Sequence, residues 1–134
     1  MKALSIVFMG SPDFALPSLE KIHQSGHHIS AVVSNPDKRR RRGKKPEPTP
    51  VKRRAGQLGI KTIDAEDLKS EEFHQQISDL KPDLIVVVAF RILPKKILEI
   101  PEIGSVNLHA SLLPKYRGAA PIHWAVIRGE QETG

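Results

Sequence analysis

Residues 83–89 read Asp-Leu-Ile-Val-Val-Val-Ala, an unbroken apolar run dominated by β-branched side chains. Seven residues are too few for an ordinary helix, and the run lacks the alternation of a strand with one face in water. It therefore reads as a central parallel strand buried on both faces, which needs helices above and below it. Its flanks supply them. Upstream, Ser70 can cap a helix whose apolar residues Phe73, Ile77 and Leu80 share one face, with Glu72 in an acidic first turn. Downstream, residues 94–98 suggest a helical turn, and residues 104–109 the next strand.

The same grammar extends to the start of the chain. Residues 4–9 are apolar and end at Gly10, so they form a first strand. Asp13 is an expected N-cap, and Ala15, Leu19 and Ile22 recur at helical spacing as far as Gln24, with Gly26 closing the helix. Residues 28–34 form a second strand, which Asn35-Pro36-Asp37 breaks. Residues 38–50 carry three prolines and no apolar period, so they form a loop. Thr49-Pro50 can open a short helix to Leu58, with Pro50 in its first turn. A short strand over 61–63 and a helix over 121–127 complete the pattern. Alternating strands and helices predict an α/β fold: an open, mainly parallel sheet with right-handed crossovers and helices on both faces.

At 134 residues the chain holds at most one domain, with apolar (39%) and charged (27%) fractions suited to a soluble core-forming protein. It has no cysteine, which excludes disulfides, thiol catalysis and Cys-type zinc sites. The apolar run 3–9 is too short to span a bilayer and leads into Gly-Ser-Pro-Asp. A cytoplasmic location without membrane association is expected. No HExxH or HxxEH spacing occurs, so no metal is expected, and His23, His27, His28, His74 and His123 read as surface or packing residues.

Open parallel sheets bind ligands at the carboxyl ends of their strands. Four such ends converge here: Gly10-Ser11-Pro12-Asp13, Asn35-Pro36, residues 89–93, and Asn107-Leu108-His109. The stretch 105–122, SVNLHASLLPKYRGAAPI, holds the chemistry. Val106 and Leu108 face one way; Asn107 and His109 face the other. An amide and an imidazole projecting together can stabilise an oxyanion and move a proton, as acyl or formyl transfer requires. On its own, an Asn-x-His pair at a strand end is more often structural than catalytic. Gly10-Ser11-Pro12-Asp13 is no dinucleotide fingerprint: it lacks the second glycine, and Asp13 would repel a phosphate. It reads as a turn bordering the site.

The net charge of +6 conceals an asymmetry. Residues 38–54 hold ten Lys/Arg and one acid, a net +9, and the remainder of the chain is net −3. Lys38, Arg39, Arg40, Arg41, Arg42, Lys44, Lys45 and Lys52 suit backbone phosphates rather than base reading, and no aromatic is present for stacking. Arg53 and Arg54 would extend this stripe along the following helix. The same composition is compatible with a solvated charged run or a localisation signal.

Taken in order, GSPDFALPSL, NPDKRRRRGKKPEPTPVK, VVVAFRILPKKIL and NLHASLLPKYRGAAPI resemble the folate-dependent formyltransferases along essentially the whole chain. The likeness is greatest to members acting on charged initiator tRNA. One departure lies at residues 90–93, where many relatives have one more residue and a glycine. The resemblance implies that residues 1–134 form an N-terminal, Rossmann-like formyltransferase domain, incomplete, without its last strands and the small C-terminal β-barrel. It implies formyl transfer from 10-formyltetrahydrofolate to the α-amine of initiator methionyl-tRNA, by a monomer.

Residue by residue, the resemblance makes Asn107 and His109 members of an Asn/His/Asp catalytic set. The aspartate belongs to a later Asp-Thr-Gly loop that this chain lacks, so the fragment alone is expected to be inactive. Ser111, Leu112, Leu113 and Pro114 would contact the folate, and the backbone of Ala89, Phe90, Arg91, Ile92 and Leu93 would line its pterin pocket. Arg117, Gly118, Ala119, Ala120 and Pro121 would form the wall facing the acceptor amine. Two other readings stand beside this one. One is a small-amine formyltransferase acting on glycinamide ribonucleotide or an amino-sugar nucleotide. The other is a non-catalytic basic RNA-binding module.

Overall fold

A computed structural model of the chain describes residues 2–38, 43 and 45–108. Five strands form one sheet in the order β3-β2-β1-β4-β5, and all neighbours are parallel. The strands are β1 (Ser5–Gly10), β2 (His28–Ser34), β3 (Thr62–Asp64), β4 (Leu84–Val88) and β5 (Gly104–Leu108). The helices are α1 (Leu16–Gln24), α2 (Pro50–Gln57), α3 (Glu71–Asp79) and the single turn α4 (Lys95–Leu98). The expected α/β architecture is therefore present, with Rossmann-like strand order. The helix expected over 121–127 lies outside the described residues.

Two apolar layers flank the sheet. Ala15, Leu19 of α1 and Val51, Ala55 of α2 pack on one face with Phe8, Val32 and Val88. Phe73, Ile77 of α3 and Ile97 of α4 pack on the other with Val7, Met9, Ala31, Val33, Ile85 and Val87. Alternate side chains of one strand thus feed both layers, as a sheet covered on two sides requires. The most deeply buried strand is β1 rather than β4: Val7, Phe8 and Met9 are fully buried, whereas Leu84 and Val86 of β4 are half-buried. The difference follows from position, since β1 is the middle strand of the five.

Local signals place the helix starts. The Thr49 hydroxyl accepts from Lys52 N at 3.1 Å, with Pro50 in the first turn of α2. The Ser70 hydroxyl accepts from Phe73 N at 3.1 Å and caps α3. Gly26 adopts φ +86° beyond α1, a conformation that favours glycine. Asp13, in contrast, is not an N-cap. A tight turn over Asp13–Ala15 precedes α1, with Ala15 N donating to Pro12 O at 3.0 Å, and no side chain caps α1. Pro17 early in α1 has no N–H to satisfy, which lessens the need for a cap.

Candidate functional site at the carboxyl edge

Because every strand is parallel, all five carboxyl ends lie along one rim, and strand order reverses direction on either side of β1. The crevice at such a reversal is where open α/β sheets bind ligands. Here it lies between the turn after β1, starting at Gly10, and the loop after β4, starting at Ala89.

Gly10 allows that close approach. A β-carbon at this position would lie 2.8 Å from Val88 O, 3.0 Å from Ala15 Cβ and 3.2 Å from the Phe8 ring. Ser11 follows and is nearly buried. Its hydroxyl accepts from Ser34 Oγ at 3.2 Å and from Asn35 N at 3.1 Å. Ser34 Oγ also lies 2.5 Å from Thr49 Oγ1. Each hydroxyl has one proton, so Ser34 donating to Ser11 requires Thr49 to donate to Ser34. A directed chain thus runs from Lys52 N through Thr49 and Ser34 to Ser11. Val51 N also donates to Ser11 O at 3.2 Å. The ends of β1, β2 and the start of α2 are therefore one hydrogen-bonded unit. No motif had indicated these three hydroxyls as partners, because their link exists only across the sheet.

On the other side of the crevice, Ala89 takes φ +50°, a left-handed conformation rare for a residue with a β-carbon. The loop it opens carries Phe90, Arg91, Ile92 and Leu93, which with Ala89 make up the five residues expected to line a pterin pocket. The Arg91 guanidinium donates to Ala65 O and lies 5.5 Å from the Phe90 ring centroid. Ile92 is 93% exposed, while Leu93 is buried. Arg91, Ile92 and Leu93, with Pro94 and residues 66–69 after β3, line a cavity of about 340 Å³; Ala89 and Phe90 do not. That volume is at the small end of the range for organic ligands.

Asn107 stands on β5 opposite Val87 and is exposed, one residue before the strand end. Val106 and Leu108 lie opposite Val86 and Val88, on the other face, so the alternation is as expected. An exposed asparagine at a strand end has two amide protons to give to an incoming oxyanion. His109, Ser111, Leu112, Leu113, Pro114, Arg117, Gly118, Ala119, Ala120 and Pro121 lie outside the described residues.

The basic segment leaves the rim after β2. Lys38 and Glu47 form an antiparallel bridge, with N···O distances of 3.1 and 2.9 Å. Arg39, Arg40, Arg41, Arg42 and Lys44 lie outside the described residues. Lys52 is held between Asp37 Oδ1 at 2.6 Å and Asp64 Oδ1 at 2.8 Å. Its hydrogen bond with Asp37, then that with Asp64, raises the ammonium pKa above the usual lysine value. Arg54 does not extend a free cationic stripe: its guanidinium grips Glu20 of α1, joining the two helices. That hydrogen bond is the main cause lowering the Glu20 carboxyl and raising the Arg54 guanidinium. Arg53, its neighbour, is exposed. His27 is a packing residue, its Nδ1 accepting from Leu4 N at 2.9 Å.

Among the described residues, no group of three His, Asp or Glu side chains could hold a metal ion, and no helix is long and apolar enough to cross a membrane.

The sequence profile described as formyl transferase matches residues 2–134. Methionyl-tRNA formyltransferase of Caldanaerobacter subterraneus subsp. tengcongensis is 53% identical over 133 residues, covering 98% of this chain and 43% of that protein. The protein of the same name from Halothermothrix orenii is 54% identical over 133 residues, covering 98% and 42%. That from Geobacter metallireducens is 53% identical over 135 residues, covering 100% and 43%. The chain thus spans about two-fifths of the length of these curated relatives. Among solved structures, phosphoribosylglycinamide formyltransferase from Brucella melitensis superposes with a TM-score of 0.65 at 26% identity, covering 96% of this chain and 68% of that one.

Proposed function

The chain belongs to the formyl transferase family, and we propose on that premise that it serves the transfer of a formyl group from 10-formyltetrahydrofolate to the α-amine of initiator methionyl-tRNA. The carrying observation is the arrangement of the rim. Asn107 is exposed at the end of β5, the cavity-lining loop leaves the adjacent strand β4, and the basic segment leaves the same edge from β2.

The amine attacks the formyl carbon, and the tetrahedral intermediate bears an oxyanion. The Asn107 amide and a protonated His109 stabilise that charge; His109 delivers a proton to the departing folate nitrogen as the attacking nitrogen gives one up, so the new amide forms with no net gain or loss of protons. The backbone of Ala89, Phe90, Arg91, Ile92 and Leu93, with Ser111, Leu112, Leu113 and Pro114, holds the folate; the left-handed turn at Ala89 and the exposed Ile92 support this. Arg117, Gly118, Ala119, Ala120 and Pro121 face the acceptor amine. Lys38, Arg39, Arg40, Arg41, Arg42, Lys44 and Lys45 meet phosphates of the tRNA acceptor arm. The protein is a cytoplasmic monomer without a metal.

Two facts favour the tRNA acceptor over a small amine. The relatives at 53–54% identity bear the methionyl-tRNA name, and a small substrate has no use for a +9 segment. The test is a direct competition in the full-length protein between charged initiator tRNA and glycinamide ribonucleotide as formyl acceptors. Formylation of the tRNA is expected; activity confined to the nucleotide would refute the assignment.

A further inference from the structure

Lys52 differs from the other described cations of the basic stretch in meeting two carboxylates at once. Its side chain is 20% exposed, and two carboxylates grip the ammonium, those of Asp37 and Asp64, which are themselves 39% and 43% exposed. The three residues come from three different places. Asp37 immediately precedes the basic segment, Asp64 ends β3, and Lys52 lies in the first turn of α2, near the segment's far end. The Lys38–Glu47 bridge closes the base of the segment between them. The Thr49 cap adds a further tie through the hydroxyl chain to Ser34 and Ser11. Both ends of the segment are thereby fastened to the carboxyl edge of the sheet.

We propose that Lys52 is a positioning residue, which fastens Asp37 to β3 and so fixes where the basic segment leaves and re-enters the rim, rather than itself meeting a phosphate. The inference rests on the reading of that segment as a tRNA contact. One cation between two anions is a locally negative group, and a phosphate would have to break two charge-assisted hydrogen bonds to reach it. A chain stretch dense in like charges repels itself, so holding its two ends on one rim costs free energy. Meeting that cost before binding favours affinity without adding a contact.

The test measures binding of uncharged initiator tRNA to the full-length protein across a salt series. The first variant is the double substitution Asp37→Asn with Asp64→Asn. By charge alone, removing two anions from an RNA-binding face strengthens binding. A positioning role predicts the opposite sign: affinity falls about five- to ten-fold with the salt slope unchanged, because the phosphate-contacting cations remain. In formylation the same variant should raise KM for charged tRNA by a similar factor, leaving KM for the formyl donor as it was. Lys52→Met should behave alike. Should Lys52→Met fail to fold, Asp37→Asn alone supplies the reading, since that carboxylate is solvent-facing and its loss leaves the core intact.

Equal or tighter binding by the double variant overturns the proposal. So does a salt slope flattened by about one unit in Lys52→Met, the mark of a direct phosphate contact. A wild-type protein that binds no tRNA fails the underlying reading instead, before any substitution is made.

Discussion

Gly10 approaches Val88 so closely that a β-carbon on it would lie 2.8 Å from that residue's carbonyl oxygen. The contact joins β1 to β4 at the crevice where the strand order reverses. The obstructing atom is backbone, so relief requires the strands to part. Gly10→Ala should destabilise the protein by about 1–3 kcal/mol. Urea denaturation measures it; a midpoint equal to wild type would show that the rim yields more easily than this packing implies.

The hydroxyl chain makes a cooperative prediction. Ser34→Ala removes the middle member and leaves Ser11 and Thr49 without it, at a cost of about 1–2 kcal/mol. Thr49→Ala loses the α2 cap as well, at about 1 kcal/mol. Since both break one chain, the double variant should cost clearly less than their sum. Strict additivity in a double-mutant cycle would mean that the three hydroxyls act separately.

Acid should weaken the tie between α1 and α2. The Arg54 guanidinium holds the Glu20 carboxyl below the usual 4.5, so its pKa is lower folded than unfolded. The pair's stability is therefore present above the unfolded value and is lost as pH falls through the folded one. Glu20→Gln should lower the thermal midpoint at pH 7, where the pair contributes, and converge with wild type as pH falls toward about 3, flattening the dependence between about pH 5 and pH 3. A variant whose acid limb follows that of wild type would assign acid sensitivity to other carboxylates. At the opposite extreme, the raised Lys52 ammonium contributes below 10.5 and is lost as pH rises through its folded value.

Asn107 separates chemistry from folding. It is exposed on β5, so Asn107→Ala should shift stability by about 0.5 kcal/mol or less. As an oxyanion donor its loss should lower kcat by about 10²–10³. Steady-state formylation and thermal unfolding on the same preparation decide the matter. Undiminished turnover removes Asn107 from the catalytic set.

Salt dependence reports the footprint. Contacts to about five phosphates give a log–log slope of roughly −3.5 to −4.5 for tRNA binding. Replacing Arg39, Arg40, Arg41 and Arg42 with alanine should flatten it markedly. An unaltered slope would locate the contacts on another surface.

What could be read from the chain alone was mostly local. β2 was bounded to the residue because Gly26 and Asn35-Pro36 bracket it, and the caps at Thr49 and Ser70 act within three residues of themselves. Asp13 was misread because capping propensity competes with a tight turn that the neighbouring prolines favour. The run at 83–89 was legible as an interior parallel strand, and β4 does pair on both sides, but an apolar run does not say which interior strand is buried deepest. The engagements of Lys52 by Asp64 and of Arg54 by Glu20 were illegible for a different reason. Charge counting treats every cation as free, whereas strand order and helix packing decide which of them meet an anion. The position of Asn107 on β5, facing away from Val106 and Leu108, was legible because alternation along a strand is fixed by backbone geometry; its neighbours on the rim depend on the whole sheet.

The place of β1 in the middle of the sheet has a consequence for synthesis. Its first neighbour, β2, leaves the ribosome soon after it, but Asp83, which receives Ser5 N at the head of the second pairing, lies 78 residues further on. At about 5–20 residues per second, roughly four to fifteen seconds separate the two. Throughout that interval one hydrogen-bonding edge of Val7, Phe8 and Met9 is unpartnered, which leaves β1 open to chaperone capture and to mispairing.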